Sequence, residues 1–289
     1  MSEPKTYTLA APGAVLHYDV REGGGAGHPV LLLAGAPMGA SGFAALAEQF
    51  ADRTVVTYDP RGTERSQRTD GQPPGSEPGV HAEDLRRLIE ALDAGPADLF
   101  GSSGGAVNAL ALVARHPEQV RVLVAHEPPA FQELPDRDEA LATTTAIRGL
   151  FYREGFAPAM AKFIAVVSHE GPLPDGYAGQ PGPDPAMFGL PAGDDGNRND
   201  PLLGHNIITC THYRLDFDAL RAAPTRIVVG VGATSAQQPA GRAGAAVAAR
   251  LGQEPVTFPG GHDGFLGGEY GGMGEPDAFA AVLRKALDG

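Results

Sequence analysis

The chain has 289 residues, 22 Lys and Arg against 35 Asp and Glu for a formal net charge of −13, 42% hydrophobic residues and one cysteine. That acidity argues against a grip on phosphate backbones or anionic lipid, so nucleic acid and membrane partners are excluded, while the apolar content rules out wholesale disorder and suits one large domain or a core with an insertion. Cys210 alone allows neither an intramolecular disulfide nor a cysteine zinc site, and with no signal-like N-terminus or run of ~18 apolar residues a cytoplasmic location is expected.

In chain order, two short extended patterns over 7–20, broken at Pro12-Gly13, predict a hairpin at a sheet edge. The runs PVLLL (29–33) and TVVTY (54–58) are apolar without alternation, as in strands covered on both faces. A helix is predicted between them over 42–50, where Phe43, Leu46 and Phe50 share a face. Another follows over 81–92, with Leu85, Leu88, Ile89 and Leu92 in register. Next come a strand over 98–101, a helix over 104–116 and a strand over 120–125. Such repeated βα units imply a parallel sheet. After Pro128-Pro129 the alternation lapses for about ninety residues, too many for a plain loop. It resumes with RIVVGV (226–231), a helix over 239–251, a strand over 255–258 and a final helix over 276–287. The interruption holds helical stretches over 139–152 and 158–168, and a Gly/Pro/Asp-rich tract over 171–200 that reads as loop, consistent with a lid.

One turn carries the chemistry. Phe100-Gly101-Ser102-Ser103-Gly104-Gly105-Ala106 lies between a predicted strand and a predicted helix, which is the context that G-x-S-x-G requires. Small neighbours are needed because a Cβ at Gly101 or Gly105 would collide with the adjoining elements. The helix beginning there aims free N–H groups at the same point, favouring developing negative charge. Taken alone the motif also fits a plain glycine-rich turn or a phosphate-cradling loop, but the Walker lysine and the G-x-G-x-x-G spacing are both missing.

These features resemble the α/β-hydrolase superfamily, with matching segments at LLLAGAP (31–37), YDPRGTERS (58–66), HAEDLRRLIEAL (81–92), the serine turn and GGHDGF (260–265). The resemblance implies an α/β fold: a mostly parallel eight-stranded sheet with helices on both faces and a helical cap inserted after strand six. The core would span 1–129 and 225–289, and the cap 130–224. Ser103 would be the nucleophile, and His262, in a late glycine-rich loop, the base. His126 and His205 are less well placed. Many relatives carry the triad acid in a G-x-x-D turn after strand seven, but here that turn reads Gly232-Ala233-Thr234-Ser235. The tip of strand six, Ala125-His126-Glu127-Pro128-Pro129, offers Glu127 instead. The S-S-G elbow and the H-E-x-P turn are similar to zearalenone-type lactonases, which place their acid there. Asp263 is a weak substitute, because it would have to fold back on the neighbouring ring. The backbone N–H groups of Gly104 and Ala36 would form the oxyanion hole, and Asp59 and Arg61 read as scaffold.

What the resemblance implies is an ester or lactone hydrolase working through an acyl-enzyme on a medium-sized, largely apolar small molecule, with no metal and no organic cofactor. Serine rather than aspartate at the elbow argues against dehalogenase or epoxide hydrolase chemistry. The alternatives are a cofactor-free perhydrolase, acyltransferase or cyclase in the same pocket, and an inactive ligand-binding relative. Phe151, Tyr152, Phe163, Met187, Phe188, Leu190 and Tyr213 are candidate cap lining. Homodimerisation stays open.

Overall fold

A computed structural model describes residues 3–25 and 27–289. Its strands are β1 (Lys5–Ala11), β2 (Ala14–Arg21), β3 (Leu31–Ala34), β4 (Val55–Tyr58), β5 (Gln67–Arg68), β6 (Ala97–Ser102), β7 (Val120–His126), β8 (Arg226–Gly232) and β9 (Val256–Phe258). They form one sheet in the order β1-β2-β4-β3-β6-β7-β8-β9, with β5 paired to β2 beside the main path. The eight expected strands are therefore joined by a ninth of two residues, too short to leave an apolar signature in sequence. β1 and β2 form the antiparallel edge hairpin, and β2 also meets β4 antiparallel. All pairings from β4 through β3, β6, β7 and β8 to β9 are parallel.

The central strands are apolar on both faces because both are covered. Leu32, Leu99, Leu123 and Val229 face one core with Leu85, Leu88, Leu110 and Val247. These residues belong to helices α2 (Pro78–Leu92), α3 (Gly104–Arg115) and α8 (Pro239–Arg250). Their strand neighbours Leu31, Leu33, Phe100 and Val124 face the other way, onto Phe43, Leu46, Phe279 and Leu283, carried by α1 (Ala44–Glu48), the 3₁₀ turn before it, and α9 (Pro276–Asp288). This period-two division buries each large side chain for about 1.5–3 kcal/mol. Two ion pairs are buried with the core: Arg53 with Asp98, and Arg61, through two nitrogens, with Asp84. Asp59 Oδ1 accepts from the Ala40 N–H at 2.8 Å, tying down the loop that follows β3.

Between β7 and β8 the chain forms α4 (Arg137–Glu154), α5 (Phe156–Val167), α6 (Ile207–Thr209) and α7 (Phe217–Ala222). Gly155, at φ 89°, separates α4 from α5 in a conformation that side chains disfavour. A π-helical turn, Leu202–Asn206, runs directly into α6. Neither it nor α7 has a strong periodic signal, because each is shorter than the two turns over which an apolar stripe becomes legible. The residues over 171–200 are mostly loop, with 3₁₀ turns at Tyr177–Gly179 and Pro185–Phe188. The first part of this tract is firmly anchored. Lys162 Nζ donates to the carbonyls of Ala178 and Gln180 at 2.7 Å each, and Glu139 accepts from the N–H groups of Gly176 and Ala178.

Candidate active site

Ser103 stands where β6 gives way to α3, at φ 55° and ψ −126°. A non-glycine residue reaches this region only when its surroundings force it there. The forcing is visible in the flanking glycines. A Cβ on Gly101 would lie 2.8 Å from Ala106 Cα, and one on Gly105 would lie 2.2 Å from the Ala34 carbonyl oxygen. With both positions bare, strand and helix close together and the serine is pushed outward, above the N-terminus of a twelve-residue helix. Ser102, by contrast, is buried within β6, paired with His126.

Glu127 follows the last residue of β7 and also holds a positive φ, 46°. Its side chain is fully buried. Oε2 lies 2.6 Å from His262 Nδ1. Oε1 accepts from the Gly232 N–H at 2.8 Å and from Ser235 Oγ at 2.5 Å. Burial alone would push this carboxyl up, but the His262 hydrogen bond and charge, with smaller contributions from His126 and Ser235, hold it down at about 2. It is thus ionised at neutral pH. His262 belongs to a loop turned tightly by Gly260, at φ 75°, and closed by a Gly264 N–H to Gly261 carbonyl bond of 3.0 Å.

Ser103, Gly104, Ala36 and His262 all line one cavity of about 390 Å³, a size suited to a small organic ligand. Ser103 and His262 both face this cavity, and among the described residues no hydrogen bond joins their side chains. Asp263 also borders the cavity, but its side chain is exposed and His262 Nδ1 is engaged by Glu127. Much of the remaining wall is apolar, formed by Phe131, Ile147, Phe163, Val166, Leu202 and Ile207, with the side chains of Thr144, Asn206 and Thr211 among them.

The wall differs from the aromatic lining expected from the sequence. Phe163 does line the cavity. Phe151 instead packs inside the 127–225 segment against Leu203 and Ile207, and Tyr213 packs on the core beside the sheet. Met187 is 75% exposed and Phe188 38%, because they ride an outward 3₁₀ turn capped by Asp184. Tyr152 is exposed too, and Leu190 borders a separate pocket.

The sequence reading gives no role at the site to three residues, having weighed His126 only as a less well-placed base. Cys210 borders the cavity and packs against Gly104, and burial pushes its thiol up to about 12, so it stays protonated. His126 is buried among Phe100, Phe258, Phe265 and Phe279, its ring 6.3 Å from that of His262. Burial lowers it to about 4, leaving it neutral beneath the site. Ser235 is the third, and its only sequence signal was a hydroxyl in the turn after β8. Among the described residues no group of three or more His, Cys, Asp or Glu is placed to hold a metal ion, and no helix is long and apolar enough to cross a membrane.

A family model described as alpha/beta hydrolase fold matches residues 28–181. A Bacillus subtilis (strain 168) protein named uncharacterized hydrolase YraK is 33% identical over 263 residues, 89% of each chain. Among solved structures, the enol-lactonase from Burkholderia xenovorans LB400 superposes with a TM-score of 0.65 at 18% identity, over 98% of this chain and 100% of that one. A thermophilic esterase from Thermogutta terrifontis superposes at 0.63 with 22% identity, over 99% and 100%.

Proposed function

This chain belongs to the α/β-hydrolase fold family, and from that premise we propose that it is a serine hydrolase cleaving esters or lactones of medium-sized, largely apolar small molecules. The observation that carries the reading is the Glu127 Oε2 to His262 Nδ1 contact of 2.6 Å, made beside a cavity that Ser103 and His262 share. Ser103 Oγ adds to the substrate carbonyl while His262 Nε2 takes its proton, and Glu127 holds the ring in the matching tautomer. The oxyanion is met by the N–H groups of Gly104 and Ala36. Collapse breaks the ester C–O bond, and the leaving oxygen receives the proton from His262; in a lactone it remains tethered to the acyl chain. Water then attacks the acyl-enzyme with His262 again as base, returning Ser103. Residues 130–224 act as a cap whose apolar inner wall receives the acyl chain and limits access of water.

A fluorophosphonate probe tests the nucleophile directly. It labels the wild type at Ser103 and leaves Ser103→Ala unlabelled, and the wild type hydrolyses p-nitrophenyl butyrate and releases acid from small apolar lactones. Absence of labelling with absence of turnover would refute the reading and favour a binding protein.

A further inference from the structure

The two oxygens of the Glu127 carboxylate are held by different parts of the chain. Oε2 faces His262, while Oε1 receives two donors from the end of β8 and the turn after it, Gly232 N–H and Ser235 Oγ. Ser235 is 1% exposed. The other acceptor near its hydroxyl is the Gly232 carbonyl at 3.5 Å, too long to compete with the 2.5 Å bond to Glu127. The surroundings admit the residue only because they are stripped of side chains. A Cβ on Gly232 would lie 2.5 Å from Ser235 Oγ, and one on Gly241 would lie 2.2 Å from the Ser235 carbonyl oxygen. The Gln238 N–H bonds that same carbonyl at 2.9 Å, fixing the turn.

We infer that Ser235 is a positioning residue of this site: its hydroxyl, with the Gly232 N–H, clamps Glu127 Oε1 so that Oε2 meets the histidine. The inference rests on the serine hydrolase reading. A carboxylate at the tip of β7 with a single partner could turn about its last bond. Two donors on one oxygen define its plane, and the other oxygen is then left in the line of His262 Nδ1. Ser235 itself lines the cavity beside Thr234, but its hydroxyl is spent on Glu127, so it acts through that carboxylate and not on the reacting atoms.

The test is a cycle of Ser235→Ala, Glu127→Ala and the double variant, assayed with p-nitrophenyl butyrate, with proton NMR of the downfield Nδ1–H resonance of His262. Loss of one hydrogen bond to a charged group predicts that Ser235→Ala lowers kcat about 10- to 100-fold with little change in KM. The downfield resonance moves, and in the Glu127→Ala background Ser235→Ala has no further effect. A cost that persists without Glu127, or that falls on KM while the resonance stays in place, would overturn the inference in favour of a substrate contact. Should Glu127→Ala fail to fold, the resonance and the kcat against KM split of Ser235→Ala decide. Failure of the hydrolase reading is seen separately, as an unlabelled wild-type Ser103, and the resonance alone then decides whether Ser235 holds Glu127.

Discussion

Replacing Glu127 with glutamine keeps the shape of the side chain and changes only what its two outer atoms can do. Gly232 N–H and Ser235 Oγ both point donors at the Oε1 position, so the amide places its oxygen there. Its NH2 group is then turned toward His262 Nδ1. The ring must answer with a lone pair at Nδ1, which moves its proton to Nε2, the nitrogen that has to be free to accept from Ser103. A tautomer error of this kind costs about 10⁴-fold in kcat, or about 5 kcal/mol of barrier, with the fold unchanged. Initial rates on p-nitrophenyl butyrate, with far-ultraviolet circular dichroism as the fold control, measure it, and Asp263→Asn serves as comparison with a far smaller loss. A Glu127→Gln enzyme within ten-fold of wild type would refute the argument. The same substitution changes the pH dependence of stability. The Glu127 carboxyl is lowered from 4.5 to about 2 in the folded protein, which corresponds to about 3 kcal/mol. Because the folded value is the lower one, this stabilisation is fully present above pH 4.5 and is lost as pH falls toward 2. Urea unfolding between pH 6 and pH 2.5 should therefore show a steeper acid loss in wild type than in Glu127→Gln, and parallel curves would contradict it.

Ser103→Ala should abolish turnover and probe labelling without loss of structure, whereas Ser102→Ala, altering a side chain buried within β6, should keep most of its activity; the reverse result would place the nucleophile in the wrong register. Phe163→Ala enlarges the cavity wall and should shift preference toward longer p-nitrophenyl acyl chains by roughly ten-fold in relative kcat/KM, while Met187→Ala, on the outer surface, leaves the preference unchanged. Asp84→Ala strands the buried Arg61 guanidinium and should cost about 3–5 kcal/mol in urea unfolding; a loss below 1 kcal/mol would show that Arg61 finds another partner.

The parts legible in sequence were those set by short-range rules. Unbroken apolar runs mark β3 and β4 because a covered parallel strand has no polar face. The serine turn is legible because its motif is contiguous: Gly101 is required by the Ala106 backbone at the same strand–helix junction, although the reason for Gly105 is the Ala34 carbonyl at the end of the neighbouring β3. The interruption between β7 and β8 was evident from its length, and its loop tract from glycine and proline.

What only the tertiary structure decided are pairings between distant segments. The resemblance already offers Glu127 to His262, but the hold of Ser235 on Glu127 across 108 residues comes from packing alone, and nothing near Ser235 in sequence distinguishes a hydroxyl that holds a carboxylate from one in an ordinary turn. The cavity wall is of the same kind. Phe151 and Phe163 are equally apolar to a sequence reading, yet Phe151 is buried within the 127–225 segment and Phe163 faces the cavity. Their roles follow from how α4 and α5 dock on each other and on the π-helical turn. Local backbone rules are written into adjacent residues, whereas the partner of a side chain depends on which distant surface packing brings to it.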